Sequence, residues 1–426
     1  MVLPYTEVEF DKKGAIRRPQ QVTDAGELIT HENATDAIVL THGWNNDAAA
    51  ARALYQGIMA SVDEVRGAVA KARGRRFVVL GMLWPSILWA PPDAGEGAGA
   101  GLGDEAERLR ELIEEQIEQR SRREALIALI PRLDTSATAR AEFVELLRAK
   151  LPAGAVDDAD PDSAPDALKT ADAETLFDAA AGGSALSGLD SGGGAADLGA
   201  PAAGVEEGGA AGFSLAGLLG AARSLVNVTT YYTMKERAGV VGEKGIARLL
   251  EQLHDAAPTV RLHLVGHSFG GRAVTAAADA TAAPVSSVSL LQAAYSHYGM
   301  AQGWDGADAD GVFARVPGKV AGPIVVTFTR NDKAVGLAYP IASRIARQVG
   351  VGLGDANDKY GGIGRNGALK TPASTPFGTL LDVGGDYAFR PGRVSSLDAD
   401  RFISGHSDIA GRQVAYAVLS AVTTVG

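Results

Sequence analysis

The 426-residue chain has no cysteine. That absence removes disulfides, thiolate nucleophiles and cysteine-ligated metal sites at once, and it leaves the redox compartment open. Aromatic residues are scarce at 6%, and positive charge is outweighed, with 40 Lys and Arg against 51 Asp and Glu for a net charge of −11. An acidic chain repels phosphate backbones and anionic lipid surfaces, so nucleic acid is not an expected partner. No basic stretch is interleaved with aromatics. No window of about 18 residues is apolar enough to span a bilayer, so no integral membrane segment is expected. The first ten residues lack a basic start followed by an apolar stretch and do not read as a signal peptide. This fits a cytoplasmic protein, or one exported without a recognisable signal.

Against these absences, hydrophobic residues make up 46% of the chain, enough for a substantial core. Short, nearly continuous apolar runs occur at 37–41, 77–83, 260–265, 285–291 and 323–328. Runs of this length suit strands buried on both faces, as in a parallel sheet. Helical patterns lie beside them at 47–65, 243–254, 272–281 and 408–422. The alternation predicts an α/β architecture with a mostly parallel central sheet flanked by helices.

The rhythm breaks between about 85 and 234. A charged amphipathic helix is expected at 104–130, with Leu109, Leu112, Ile113 and Ile117 on one face, and a second at 137–151. Residues 152–212 are mainly Ala, Gly, Asp and Ser, a composition that reads as loose order or as short helices joined by flexible loops. Residues 213–232 are apolar again, with Arg223 as the sole charge, and fit either a lid or a core helix. The expected organisation is one domain in two pieces, 1–84 and 235–426, separated by a helical, Ala/Gly-rich, partly flexible insertion or cap at 85–234.

The chemistry concentrates in Gly266-His267-Ser268-Phe269-Gly270-Gly271. A strand pattern precedes this G-x-S-x-G and a helical pattern follows. That context holds a serine on a strained strand-to-helix turn, with glycines where backbones crowd. The motif resembles the nucleophile elbow of serine esterases and lipases of the α/β-hydrolase superfamily. The resemblance extends over residues 37–84 and 260–410 and leaves the insertion out. It implies an α/β-hydrolase fold with a large, mainly helical cap inserted before the nucleophile strand, and Ser268 as nucleophile.

The same resemblance implies the other parts. His42-Gly43-Trp44 after an early strand is similar to the family's H-G-x turn, which makes the Trp44 and Phe269 N–H groups the oxyanion donors. Donors of this kind contribute about 3–4 kcal/mol each. His42 is expected to brace the loop. The family's chain order is Ser, Asp or Glu, then His. Two histidines follow Ser268: His406, in Ser404-Gly405-His406-Ser407-Asp408, matches the catalytic-histidine loop, and His297 suits a pocket-lining or structural role. Asp332, after the strand at 323–328, is the expected acid. Asp382 and Asp386 stand as alternatives, and Asp408 suits a supporting role. His267 is expected to pack beside the nucleophile, and His31, His254 and His263 carry structural readings.

The acidic loop at 304–311 lacks the ligand register of a calcium loop, and no cluster has zinc spacing, so neither metal nor cofactor is expected. The expected reaction is cleavage of a carboxylic ester through an acyl-enzyme, on a small-molecule ester or lipid. A lipase or phospholipase with an interfacial lid remains an alternative, as do amidase, peptidase or acyltransferase chemistry and a catalytically silent binding module on the same fold. Oligomeric state is not legible.

Overall fold

The computed structural model describes residues 3–86, 102–151, 166–181, 215–332 and 361–425. Within them lies one eight-stranded sheet in the order β1-β3-β2-β4-β5-β6-β8-β7, parallel throughout. The strands are β1 (Tyr5–Glu9), β2 (Asp36–Thr41), β3 (Phe77–Leu83), β4 (Arg261–His267), β5 (Val285–Leu291), β6 (Ile324–Phe328), β7 (Gly378–Thr379) and β8 (Val394–Asp398). Helices cover both faces, as the alternation of patterns predicts.

Side-chain alternation in the central strands divides the core in two. Ala37 and Val39 of β2 face a cluster with α1 (Gln20–His31), α9 (Ala247–Ala256) and α10 (Phe269–Ala280), to which Leu249 and Val274 belong. Ile38 and Leu40 face the opposite cluster, built with α2 (Ala48–Val65) and the last helix (Arg412–Val422), with Tyr55 and Val418 among its members. Residues that alternate faces while all staying buried are what a sheet covered on both sides requires.

Between β3 and β4 the described residues are mainly helical: α3 (Leu102–Gln116), α4 (Arg120–Leu129), α5 (Ala137–Arg148), α6 (Asp166–Thr170), α7 (Ala173–Ala181) and α8 (Leu215–Val240). The single helix expected at 104–130 is broken after Gln116, and α4 begins at Arg120. Leu109, Phe143, Phe177 and Leu225 of these helices belong to the same apolar cluster as Val39 and Leu80 of the sheet. A π-helical turn, Val241–Ile246, leads from α8 into α9. The rest of 152–212 lies outside the described residues.

The order of strands locates the place where chemistry can gather. From β2 the chain moves to β3 on one side, whereas from β4 it moves to β5 on the other. β2 and β4 are adjacent, with Thr41 opposite Gly266. Their carboxyl ends therefore flank the point where strand order reverses, the crevice in which open parallel sheets hold ligands. His42-Gly43 leaves one strand there and His267-Ser268 ends the other.

Candidate active site

Ser268 sits at φ 54° and ψ −125°, between β4 and the first residue of α10. For a residue with a side chain this is a sparsely populated conformation costing about 1–3 kcal/mol, sustained only where surroundings impose it. Three hydrogen bonds impose it here. The Ser268 N–H donates to the Leu291 carbonyl at 3.1 Å, and the Ser268 carbonyl accepts from the Gly271 and Ala294 N–H groups at 2.9 and 3.0 Å. The flanking glycines are required by space. A Cβ on Gly270 would lie 2.2 Å from the Thr41 carbonyl oxygen, and one on Gly266 2.3 Å from that of Gly270.

The turn after β2 touches the serine directly. A Cβ on Gly43 would stand 2.6 Å from Ser268 Cβ and 3.1 Å from its Oγ. Tyr55 on α2 ties the turn to the sheet, since its hydroxyl accepts the His42 N–H at 2.9 Å and donates to the Met82 carbonyl at 2.6 Å. Helix α2 presents Tyr55 at that point because Asp47 caps its start, accepting the Ala50 N–H at 2.7 Å. Asn46 Nδ2 donates to the Trp44 carbonyl at 3.0 Å, and Ser86 Oγ donates to the Asn46 carbonyl at 2.8 Å. Among the described residues, neither the Trp44 nor the Phe269 N–H donates a hydrogen bond within the protein.

His42 is buried and stacks on Trp84 at 5.5 Å. Its Nδ1–H donates to the Gly43 carbonyl at 2.9 Å, and its Nε2 accepts the Trp84 N–H at 3.3 Å. Both ring nitrogens are thus committed to holding the turn. Burial pushes its pKa down to about 4, so the imidazole is neutral at neutral pH.

Asp332 and His406 come together from opposite sides of a gap of 74 residues. His406 Nδ1 donates to Asp332 Oδ2 at 2.8 Å, and the carboxylate is fully buried. With Nδ1–H engaged by the Asp332 carboxylate, a neutral ring carries its lone pair on Nε2. His406 is joined to the elbow through His267. The His267 Nε2–H donates to the His406 carbonyl at 2.9 Å, and the two rings lie 4.8 Å apart. Burial, and then the neighbouring His406 ring, push the His267 pKa down to about 3. Ser268 Oγ makes no hydrogen bond among the described residues.

The remaining candidates fall elsewhere. Asp382 pairs with Arg401 and Gln413, and Asp408 is spent on the Ser404 N–H and hydroxyl. His297 is buried against Tyr298 and meets Asn366 through Nδ1. His263 lies at the opposite end of the sheet, bonded to Asp36 and Ser287. Burial pushes the Asp36 carboxyl up, but hydrogen bonds from His263, Arg261 and Thr35 outweigh it and hold the carboxyl below its ordinary range. In the acidic loop, Asp305 accepts the Ala307 and Ala309 N–H groups and Asp310 that of Gly303. No group of metal-ligating side chains occurs among the described residues, and no helix there is long and apolar enough to cross a membrane.

Several contributors are absent from the motifs. Tyr55, Trp84 and Ser86 brace the turn after β2. Tyr231 of α8 packs at 4.9 Å on Phe269 and edge-on at 6.4 Å on Trp44, the two residues whose amides are the oxyanion candidates. An aromatic pair in α8, Tyr231-Tyr232, was the available signal, but nothing in the sequence ties it to the elbow. Comparison of the chain with protein-family models, with curated proteins and with solved structures found no match.

Proposed function

We propose that the protein is a serine hydrolase of the α/β-hydrolase type that cleaves carboxylic esters, with the helical segment between β3 and β4 acting as its cap. The observation that carries this reading is the conjunction of a strained Ser268 with the hydrogen-bonded pair of His406 and a buried Asp332 at the same edge of the sheet. His406 Nε2 takes the Ser268 hydroxyl proton as Oγ attacks the ester carbonyl carbon. The carbonyl oxygen becomes an oxyanion and accepts hydrogen bonds from the Trp44 and Phe269 N–H groups. His406 then returns the proton to the departing alkoxide, leaving an acyl-Ser268. Water attacks that ester with His406 again as base, releasing the acid and restoring the serine. Asp332 keeps the ring in the required tautomer and balances the transient imidazolium. His42 is buried, neutral and fully bonded, and takes no proton in this scheme.

The lid of an interfacial lipase is a poorer fit for α8, whose Leu219, Leu225, Val226 and Met234 are buried in the main core. Turnover of a nitrophenyl ester tests the reading. Ser268→Ala is expected to lower kcat by about 10⁴–10⁶-fold, the scale seen when a triad acts as a unit. A variant that hydrolyses the ester at the wild-type rate overturns the assignment. Labelling of Ser268 by a fluorophosphonate, lost in the His406→Ala variant, is the expected companion result.

A further inference from the structure

We propose that Asp400 and Asn331 are positioning residues that lock the loop carrying His406 onto the loop carrying Asp332; the proposal rests on the hydrolase reading for its kinetic consequence only. The two loops leave adjacent parallel strands. Phe328, the last residue of β6, lies opposite Asp398, the last of β8, and the Ala399 N–H continues the ladder by donating to the Phe328 carbonyl at 2.9 Å. Beyond that rung the backbones no longer pair, and side chains take over.

The cross-links run in both directions. Asp400 Oδ1 accepts from the Thr329 hydroxyl and from the Arg330 N–H, each at 2.8 Å. Asn331 Nδ2 returns the connection, donating to the Asp400 carbonyl at 3.0 Å and to the Ile403 carbonyl at 2.8 Å. One residue before Asp332 is thereby tied to a point three residues before His406. The other hydrogen bonds of the His406 loop include a long one from the Thr329 hydroxyl to the Ile403 carbonyl at 3.5 Å, one from the Ser61 hydroxyl to the Ala410 carbonyl, one from His267, and local ones such as those from Ser404 to Asp408. Without the cross-links, the hydrogen bonds left between the two loops beyond the Ala399 rung are that between Asp332 and His406 and the long one from Thr329 to the Ile403 carbonyl. Misplacing a catalytic group by 1 Å can cost about 10²-fold in rate.

The residue types fit the task. Two carbonyl oxygens face the Asn331 amide, so that position needs a donor. An aspartate of the same shape would set a carboxylate against both. At Asp400 the role belongs to an acceptor oxygen. Its ion pair with Arg330, at 3.2 Å, involves an arginine that is 77% exposed and contributes little.

The test uses full-length protein with Asn331→Asp, Asp400→Ala and Asp400→Asn. The first two are expected to lower kcat about 10–100-fold with KM unchanged. Asp400→Asn keeps the acceptor and should stay within about threefold of wild type. On an Asp332→Ala background, adding Asp400→Ala should cost no further activity, because the geometry it protects is already lost. Crystal structures of Asn331→Asp and Asp400→Ala give a readout that needs no turnover: the His406–Asp332 hydrogen bond should open beyond 3.5 Å. The proposal is overturned if that contact stays at 2.8 Å in both variants, or if the two losses in the double variant simply add. Should Ser268→Ala retain full activity, the hydrolase reading falls while the structural arm still decides the role of the cross-links.

Discussion

Gly43 shows how far one position can be constrained by its neighbour. The carboxyl ends of β2 and β4 approach so closely that any Cβ at this position would stand 2.6 Å from Ser268 Cβ, far inside van der Waals contact. Gly43→Ala therefore has to displace the turn or the serine. In the proposed reaction, either movement takes the Trp44 amide out of line with the oxyanion, and removal of one such donor costs about 10²–10³-fold in kcat. The expected result is that loss in ester turnover with substrate affinity less affected. A Gly43→Ala enzyme with wild-type kcat would show that the turn does not serve the reaction. At this scale the candidate site was largely legible from sequence. Ser268, Gly43, Asp332 and His406 announce themselves through short local patterns and chain order. The residues that brace them do not. Tyr55 meets a group 13 residues away, Trp84 one 42 away, and Asp400 one 71 away, and no local pattern encodes those meetings.

Among elements, α8 shows how a helix with a diluted apolar face can still be a core helix. Its apolar face is diluted by Gly217, Gly220, Ser224, Thr229 and Thr230, which favours a core or cap helix over a lid already on paper. In the fold, the threonine and serine hydroxyls turn inward to the helix's own carbonyls. Ser224 bonds to Gly220, Thr229 to Leu225 and Thr230 to Val226. Polar residues can thereby be buried, and the helix packs on several sides at once. Strands were legible where they are apolar on both faces, and β5 spans the residues its apolar run predicts. Three others were not, of which β7 is only two residues long. β1 has Tyr5, Thr6, Glu7 and Glu9 only partly covered, as suits an edge strand. β8 is Val-Ser-Ser-Leu-Asp, whose buried Ser396 hydroxyl accepts the Ala368 N–H at 3.0 Å. The contact of α8 with the elbow leads to a prediction about the element. Tyr231→Ala removes a buried ring that fills the space between Trp44 and Phe269. It should lower stability by about 3 kcal/mol, the scale for truncating a buried aromatic, and also reduce kcat at temperatures where the protein stays folded. Full turnover alongside the loss of stability would separate α8 from the oxyanion donors.

For the whole molecule, the buried histidines set how folding responds to acid. His42 and His267 have folded-state pKa values near 4 and 3, both lowered chiefly by burial, and burial lowers that of His263 as well. In the unfolded chain each returns to about 6.5. Below that pH the unfolded chain takes up protons that the folded chain refuses, so the unfolded state gains. The contribution of these groups is complete above about pH 6.5 and declines as pH falls toward 4. The loss amounts to about 3 kcal/mol for each of His42 and His267 by pH 4, from about 1.36 kcal/mol per pH unit per proton. The carboxyls held below their ordinary range, Asp36 and Glu7 among them, act in a separate window at lower pH, because they begin to lose their advantage only as the unfolded carboxylates protonate. Urea unfolding at pH 7.5, 6 and 5 separates the two windows: the midpoint should already fall between pH 6 and 5, above the range in which the carboxylates of the unfolded chain mainly protonate. His267→Gln can keep a donor for the His406 carbonyl but has no titrating group. Its stability should begin lower and then decline less steeply over the same interval. A slope equal to the wild type's in that variant would mean that the imidazole beside the nucleophile is not kept neutral by the fold, and the source of acid sensitivity would have to be sought at the Asp36–His263 end of the sheet.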